Sequence, residues 1–134
     1  MADLVVTAAD VASYDGAETA QDNAGEAITA GQTLYKHTDG KMYKAIDTSA
    51  AAAACRGVAL CNAAEDQPVV YATRGGVNPG AAVTVGEIYA VTDTAGGVAL
   101  HSERASGDYI TTLGIATTTS RINLNIDRSG VAIE

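Results

Sequence analysis

Three short residue patterns occur twice along the chain, in the same order. The first copy has Tyr35-Lys-His-Thr-Asp39, Arg56-Gly-Val-Ala-Leu60 and Arg74-Gly-Gly-Val77, and the second has Tyr89-Ala-Val-Thr-Asp93, Leu113-Gly-Ile-Ala-Thr117 and Arg128-Ser-Gly-Val131. Such internal repetition predicts a duplicated unit of about 45 to 55 residues, with halves at about 31–80 and 81–134. One unit is too short to cover its own sheet face, so we expect both halves in one β domain.

The spacing of apolar and turn residues predicts an all-β fold. Asp39-Gly40 between two β-prone runs is a hairpin signal, and Ile122, Leu124 and Ile126 alternate with asparagines as in a strand with one buried face. The alanine run at 50–54 is too short for a stable helix and predicts a turn or loop. We expect a small β-barrel or β-sandwich of short antiparallel strands, built from two related halves, with an extended N-terminal arm. The strands are predicted at 33–36, 41–46, 57–60, 69–73, 82–85, 88–92, 98–100, 109–116 and 122–126.

Residues 1–30 form an acidic leader. They contain six Asp or Glu and no Lys or Arg, in a chain whose formal charge is -8. Because nucleic-acid affinity comes largely from basic side chains, no nucleic-acid partner is expected. Two interpretations of the leader stay open: a solvated flexible segment, or an arm that docks on a neighbouring subunit through Leu4, Val5, Val6 and Tyr14.

Large apolar side chains are scarce. The 134 residues include 27 alanines but only 26 Val, Ile and Leu together, with no Phe or Trp. Burying a Val or Leu contributes about 1.5 to 3 kcal/mol, whereas ordering each residue costs about 1 to 2 kcal/mol of backbone entropy. We therefore expect contacts outside the chain, most simply self-association, to contribute to stability.

Residues that could carry catalysis or bind a metal are few. The chain has two His, at 37 and 101, and two Cys, at 55 and 61, with no CxxC pair. Cys55 and Cys61 are predicted to be small buried apolar groups, and no catalytic residue, cofactor or metal site is expected. The first residues lack a basic segment and the sequence has no apolar run of 18 residues, so neither a signal peptide nor a membrane partner is expected. We expect synthesis in a cytoplasm.

The strand patterns resemble those of head decoration proteins, the capsid cement proteins of tailed bacteriophages. The resemblance covers residues 30–130 and rests on loosely spaced Gly and Tyr positions. It is carried by Gly86-Glu-Ile-Tyr-Ala-Val-Thr-Asp93, Ser106-Gly-Asp-Tyr-Ile-Thr-Thr-Leu-Gly-Ile-Ala116 and Ile122-Asn-Leu-Asn-Ile126, with Ala30-Gly-Gln-Thr-Leu-Tyr35 and Gly57-Val-Ala-Leu60 matching the first half.

This resemblance implies a non-enzymatic protein on the outer surface of the virion capsid, where it stabilises the shell by clamping neighbouring capsomers. Its partners would be the major capsid protein and its own copies, most often as a homotrimer. The acidic leader lies outside the matched pattern.

Two alternatives remain. One is another virion component, such as a head or tail fibre base or a host-surface adhesin, which would need exposed aromatic clusters. The other is a small β-barrel enzyme or ligand carrier, which would need a functional pocket.

Overall fold

Ten strands form one antiparallel β-sheet, which curls into a half-barrel. The structure is a computed structural model that describes residues 3–103 and 107–132. The predicted all-β class is confirmed. The strands are β1 (Ala12–Ser13), β2 (Glu18–Asn23), β3 (Thr33–Lys36), β4 (Met42–Lys44), β5 (Cys55–Ala59), β6 (Pro68–Asn78), β7 (Ile88–Val91), β8 (Val98–Leu100), β9 (Tyr109–Thr118) and β10 (Arg121–Ala132), with one helical turn α1 (Ala50–Ala53) and 3-10 turns at Ala8–Asp10 and His101–Glu103.

The strand order is the same when read outward from the centre in either direction. It runs β4-β3-β5-β6-β10-β9-β7-β8, so each strand of residues 33–78 has a counterpart in residues 88–132 at the same distance from the central β6–β10 pair. The two halves of the sheet therefore have the same strand order about the central pair. Their origin by duplication stays a prediction.

The strand register shows which repeated patterns are structurally equivalent. Gly57 pairs with Leu34 on β3, and Gly114 pairs with Tyr89 on β7, each next to a register shift. A Cβ atom on Gly57 would clash with the Ala72 carbonyl oxygen, and one on Gly114 would clash with the carbonyl oxygen of Asn123. The Gly-Val/Ile-Ala patterns therefore occupy equivalent positions because both strands must pass close to a neighbouring backbone.

The Tyr-x-x-Thr-Asp and Arg-x-Gly-Val patterns do not occupy equivalent positions in the two halves. Since Gly57 matches Gly114, the residue that matches Tyr89 is Leu34, one position before Tyr35. On the central strands, Val58 pairs with Ala72 and Ile115 pairs with Asn123, which makes Arg74 equivalent to Asn125 instead of Arg128. Arg74 and Asn125 pair with each other across the two central strands.

The leader is built into the sheet. β2 pairs antiparallel with the first part of β6, from Glu18 opposite Arg74 to Asn23 opposite Pro68, and β1 pairs with the end of β6. This differs from the expected free arm. The reason is that β6 is 11 residues long and offers unpaired backbone groups that a polar strand can satisfy.

Two apolar clusters form the core. The larger lies between the halves and centres on Leu113, Leu124, Val77 and Val91, and alanines complete it. The smaller lies on the other face of the first half, where Leu34, Met42, Val69 and Tyr71 are covered by Ala24 and Ile28 of the leader. The leader is therefore part of the second core.

Several predicted elements differ in extent or type. The predicted strand at 82–85 is wrong: this segment is a loop, in which Val83 is buried, Val85 is 57% exposed and the Thr84 N–H donates to the Tyr89 hydroxyl. The alanine run contains one helical turn instead of only a loop, because the Ser49 side chain accepts a hydrogen bond from the Ala52 N–H at its N-terminus. The hairpin at Asp39-Gly40 is confirmed.

Candidate functional site: three exposed surfaces

Three of the four predicted anchor residues of the leader contact this chain. The Leu4 N–H donates to the Val98 carbonyl at 2.7 Å, and its side chain packs on the larger core. Val6 lies over Gly31 and Gly80. Of the four, Val5 remains fully available to a partner, since it is 90% exposed.

Tyr14 is held by the end of the β9–β10 hairpin. Its hydroxyl donates to the Ser120 carbonyl at 3.1 Å, and the guanidinium of Arg121 lies 4.9 Å from its ring centroid. This is the geometry of a cation–π contact. Tyr14 therefore fixes the leader to its own sheet, and docking of the leader on a neighbouring subunit stays a prediction that rests on Val5.

The first exposed surface is an apolar patch on the outside of the second half. Ile88 of β7 and Ile115 of β9 are directly opposite each other in the antiparallel pair, and they are 39% and 50% exposed. Asn123 and Asn125 of β10 lie beside them, as the alternation of Ile122, Leu124 and the two asparagines predicts. We call this surface the isoleucine face; its other lining residues are Thr112, Gly114, Thr117 and Asp127.

The equivalent surface of the first half is covered. Val58, which matches Ile115, is only 3% exposed and packs in the larger core. Ala72, which matches Asn123, is fully buried in the same cluster. The second half therefore covers the outer face of the first, while its own outer face has no cover in the described parts of the chain.

The second surface is an aromatic cluster at the tip of the β3–β4 hairpin. The ring centroid of His37 lies 5.4 Å from that of Tyr43 and 6.2 Å from that of Tyr35, and the two tyrosine rings are 6.0 Å apart. Tyr35 and Tyr43 are eight residues apart in the sequence, and the hairpin register places them opposite each other. We call this surface the aromatic cluster.

A carboxylate orders the aromatic cluster. The Tyr43 hydroxyl donates to Asp39 Oδ2 at 2.7 Å, and the Lys41 N–H donates to Asp39 Oδ1. The Tyr43 bond, followed by the Lys41 bond, lowers the pKa of Asp39 because both stabilise its charged form. The same bond raises the pKa of Tyr43. The ring of Tyr43 is thereby held in place at the hairpin tip.

The third surface is a cleft of about 450 Å³ between β2, β6 and β10. Three arginines line it, and we call it the arginine cleft. Glu18 is the one acidic residue among its lining residues. The cleft is lined by Glu18, Ala20, Arg56, Tyr71, Thr73, Arg74, Asn125, Ile126 and Arg128.

The lysines and the cleft arginines differ in their pairing. Each of the three lysines lies near a carboxylate: Lys36 near Asp22, Lys41 near Asp66, and Lys44 near Glu26. Within residues 3–103 and 107–132, Arg56, Arg74 and Arg128 form no ion pair with a carboxylate, and Arg128 donates to the Cys55 carbonyl at 2.8 Å. The leader acids Asp22 and Glu26 are thus partly neutralised within the chain, while the cleft retains positive charge.

Neither a metal site nor a membrane-spanning helix is found among the described residues. No group of three or more His, Cys, Asp or Glu side chains is placed to hold a metal ion. None of the helices in those ranges is long and apolar enough to cross a membrane.

The comparisons with known proteins give no relative. No protein-family model matches the sequence, and no curated protein matches it. Function must therefore be argued from the surfaces themselves.

Sequence reasoning missed the two sheet surfaces for a common reason. Ile88 and Ile115 are 27 residues apart in the chain, and the cleft arginines come from three different strands. Only strand register brings each set together. The one usable sequence signal was the asparagine alternation on β10, which correctly predicted an exposed face there.

Proposed function

We propose that the protein is a non-enzymatic structural component of a bacteriophage virion that binds the outer surface of the capsid and stabilises it by clamping neighbouring capsomers. Its partners would be the major capsid protein and other copies of itself, most simply in a homotrimer. The observation that supports the proposal is the isoleucine face. It exposes two large apolar side chains on a sheet surface, in a chain that has few large apolar side chains.

Burial of the isoleucine face would contribute to the binding of a partner. Complete burial of an Ile side chain contributes about 1.5 to 3 kcal/mol, so burying the exposed parts of Ile88 and Ile115 would contribute about 1 kcal/mol each. The flanking asparagines and threonines offer hydrogen-bond donors and acceptors. An apolar centre with a polar rim is the usual anatomy of a protein–protein interface.

The test is binding of purified protein to capsid shells that lack it, measured by co-sedimentation. We expect wild type to bind and the double variant Ile88→Ser, Ile115→Ser to bind at least about tenfold more weakly, since a change of 1.4 kcal/mol in binding free energy is tenfold. The control is Val85→Ser, which removes an exposed apolar group outside the face and leaves binding unchanged.

Two outcomes of this experiment distinguish failure of the proposed function from failure of the proposed contact surface. Absence of wild-type binding to the shells would contradict the proposed function. Equal binding of wild type and the isoleucine double variant would retain the function and reject the isoleucine face as its contact.

The aromatic cluster favours a second candidate, a host-surface adhesin in the virion. Ordered aromatic rings that are partly open to solvent, as those of Tyr35 and Tyr43 are, can anchor protein and glycan ligands. Binding of the protein to host cells, lost in Tyr35→Ala and kept in the isoleucine double variant, would favour this candidate over capsid stabilisation.

A further inference from the structure

The arginine cleft lies where β10 separates from β6. The pairs of β6 with β10 run from Val77 with Ile122 to Arg74 with Asn125, and no further pair forms between the described residues of the two strands. On the same edge of β6, Ala72 and Tyr71 pair instead with Val58 and Ala59 of β5, while β2 lies along the opposite edge.

The result is a fork in the sheet at Arg74. This residue pairs with Asn125 on one edge of β6 and with Glu18 of β2 on the other, and beyond it β5 takes the place of β10 beside β6. Beyond the fork, residues 126–132 of β10 pair with β9 on one edge. Their other edge carries no strand in the described parts of the chain, and residues 127–131 are exposed.

We propose that this free β10 edge, together with the arginine cleft, binds an extended acidic segment of another protein chain. An open strand edge pairs with the backbone of an incoming extended peptide. Arg56, Arg74 and Arg128 supply guanidinium groups that recognise carboxylates through two parallel hydrogen bonds. The cleft volume of about 450 Å³ lies within the range of about 300 to 1,000 Å³ that is typical of ligand pockets.

The charges of the cleft determine which ligand binds, and the charges of β2 determine that this ligand pairs with β10. The cleft has three arginines against Glu18, so it attracts carboxylates although the whole chain carries -8. β2 also has a free edge but carries Glu18 and Asp22, which repel an acidic strand, so the ligand adds to β10. A nucleic acid would meet the repulsion of the whole acidic molecule and would leave the backbone edge of β10 unpaired.

The inference does not depend on the proposed function, because the ligand class follows from the cleft alone. The probe is a labelled seven-residue peptide with blocked ends that alternates threonine with glutamate. Its control is the same peptide with glutamine in place of glutamate. Binding is measured with the full-length protein by fluorescence anisotropy at low salt, and hydrogen exchange is followed on β10.

We expect the glutamate peptide to bind at least about tenfold more tightly than the glutamine peptide and to slow exchange of the amides in residues 126–132. The double variant Arg56→Gln, Arg74→Gln should weaken glutamate-peptide binding by about tenfold or more. The double variant Lys41→Gln, Lys44→Gln removes the same charge outside the cleft and should change binding by less than about twofold.

Each contrary outcome rejects the inference. Equal binding of the two peptides would show that the carboxylates are not recognised. Unchanged affinity in the arginine double variant would show that the arginine cleft is not the binding site. Inorganic phosphate or a single-stranded oligothymidine that binds as tightly as the glutamate peptide, with no slowing of exchange on β10, would show a simple anion site instead of strand addition. Circular dichroism of each variant checks that the sheet is retained.

Discussion

Cys55 is a fully buried thiol at the start of β5. Its Sγ lies 3.3 Å from the Gly57 carbonyl oxygen, to which the thiol donates, and its side chain packs in the larger core. Burial raises the pKa of the Cys55 thiol from 9.0 to about 11, because the charged thiolate is poorly solvated there. Cys61 is also a free thiol but is only partly buried. The sequence-based expectation of small buried apolar groups is therefore met fully at Cys55 and in part at Cys61.

The raised pKa makes stability depend on pH above 9. Below about pH 9 the thiol is neutral in both folded and unfolded chains, so its contribution is fully present. As pH rises toward about 11, the unfolded chain releases the proton while the folded chain keeps it, and the free energy of unfolding falls by up to about 3 kcal/mol. Urea unfolding of wild type and Cys55→Ala between pH 7 and 11 should show this loss only in wild type.

Cys61→Ala is the matched control, because its stability should follow the wild-type pH dependence. A Cys55→Ala protein that loses stability as steeply as wild type above pH 9 would contradict the prediction. The comparison between variants cancels the contribution of every titrating group other than the two cysteines, because all of those groups are present in all three proteins.

At the scale of elements, the leader contributes to the second core. Ile28 is 3% exposed, and its N–H donates to the Ala63 carbonyl at 2.8 Å. In β2, Asp22 Oδ2 accepts a hydrogen bond of 2.6 Å from the Tyr71 hydroxyl, which connects β2 to β6. Burial, and then this hydrogen bond, raise the pKa of Tyr71 well above its usual range.

Ile28→Ala should lower the free energy of unfolding by about 2 to 4 kcal/mol, because truncation of a buried Ile loses apolar contacts and leaves a cavity. Val5→Ala, at a 90% exposed position of the same leader, should change it by less than about 0.5 kcal/mol. Chemical denaturation measures both. Equal, negligible effects would indicate that the leader is a flexible segment after all.

Elements with their own local signal were predictable. The Asp39-Gly40 hairpin follows from turn chemistry, and Gly40 has a φ of 82° as such a turn requires. β2 was missed because its sequence, Glu-Thr-Ala-Gln-Asp-Asn, has neither alternation nor β propensity. It is a strand because β6 offers it an edge, which is tertiary information.

At the scale of the whole molecule, the sheet order follows only in part from the repeats. The Gly57 and Gly114 patterns occupy equivalent positions on β5 and β9, while the origin of the two halves by duplication stays a prediction. The Arg74 and Arg128 patterns matched by residue type and not by position, since Arg74 is equivalent to Asn125. The isoleucine face and the arginine cleft could not be predicted, because each depends on which strands are neighbours.

If the protein stabilises a shell, the shell must stabilise the protein, because the two effects are thermodynamically linked. We expect a higher melting temperature for the shell-bound protein than for the free one. At 100 times the dissociation constant, binding adds about 2.7 kcal/mol, which is several degrees for a domain of this size. Calorimetry of decorated shells, undecorated shells and free protein measures the difference, and identical melting of free and bound protein would contradict the proposed function.

The position of β2 has a consequence for how the molecule can be oriented. Two equivalent halves joined by a twofold axis would present the same surface in two directions, so either side could face a partner equally well. β2 adds a strand to the first half, and the second half has no counterpart of it in the described parts of the chain. The chain is thereby left with a front and a back, and a surface that recognises it can hold it in only one orientation.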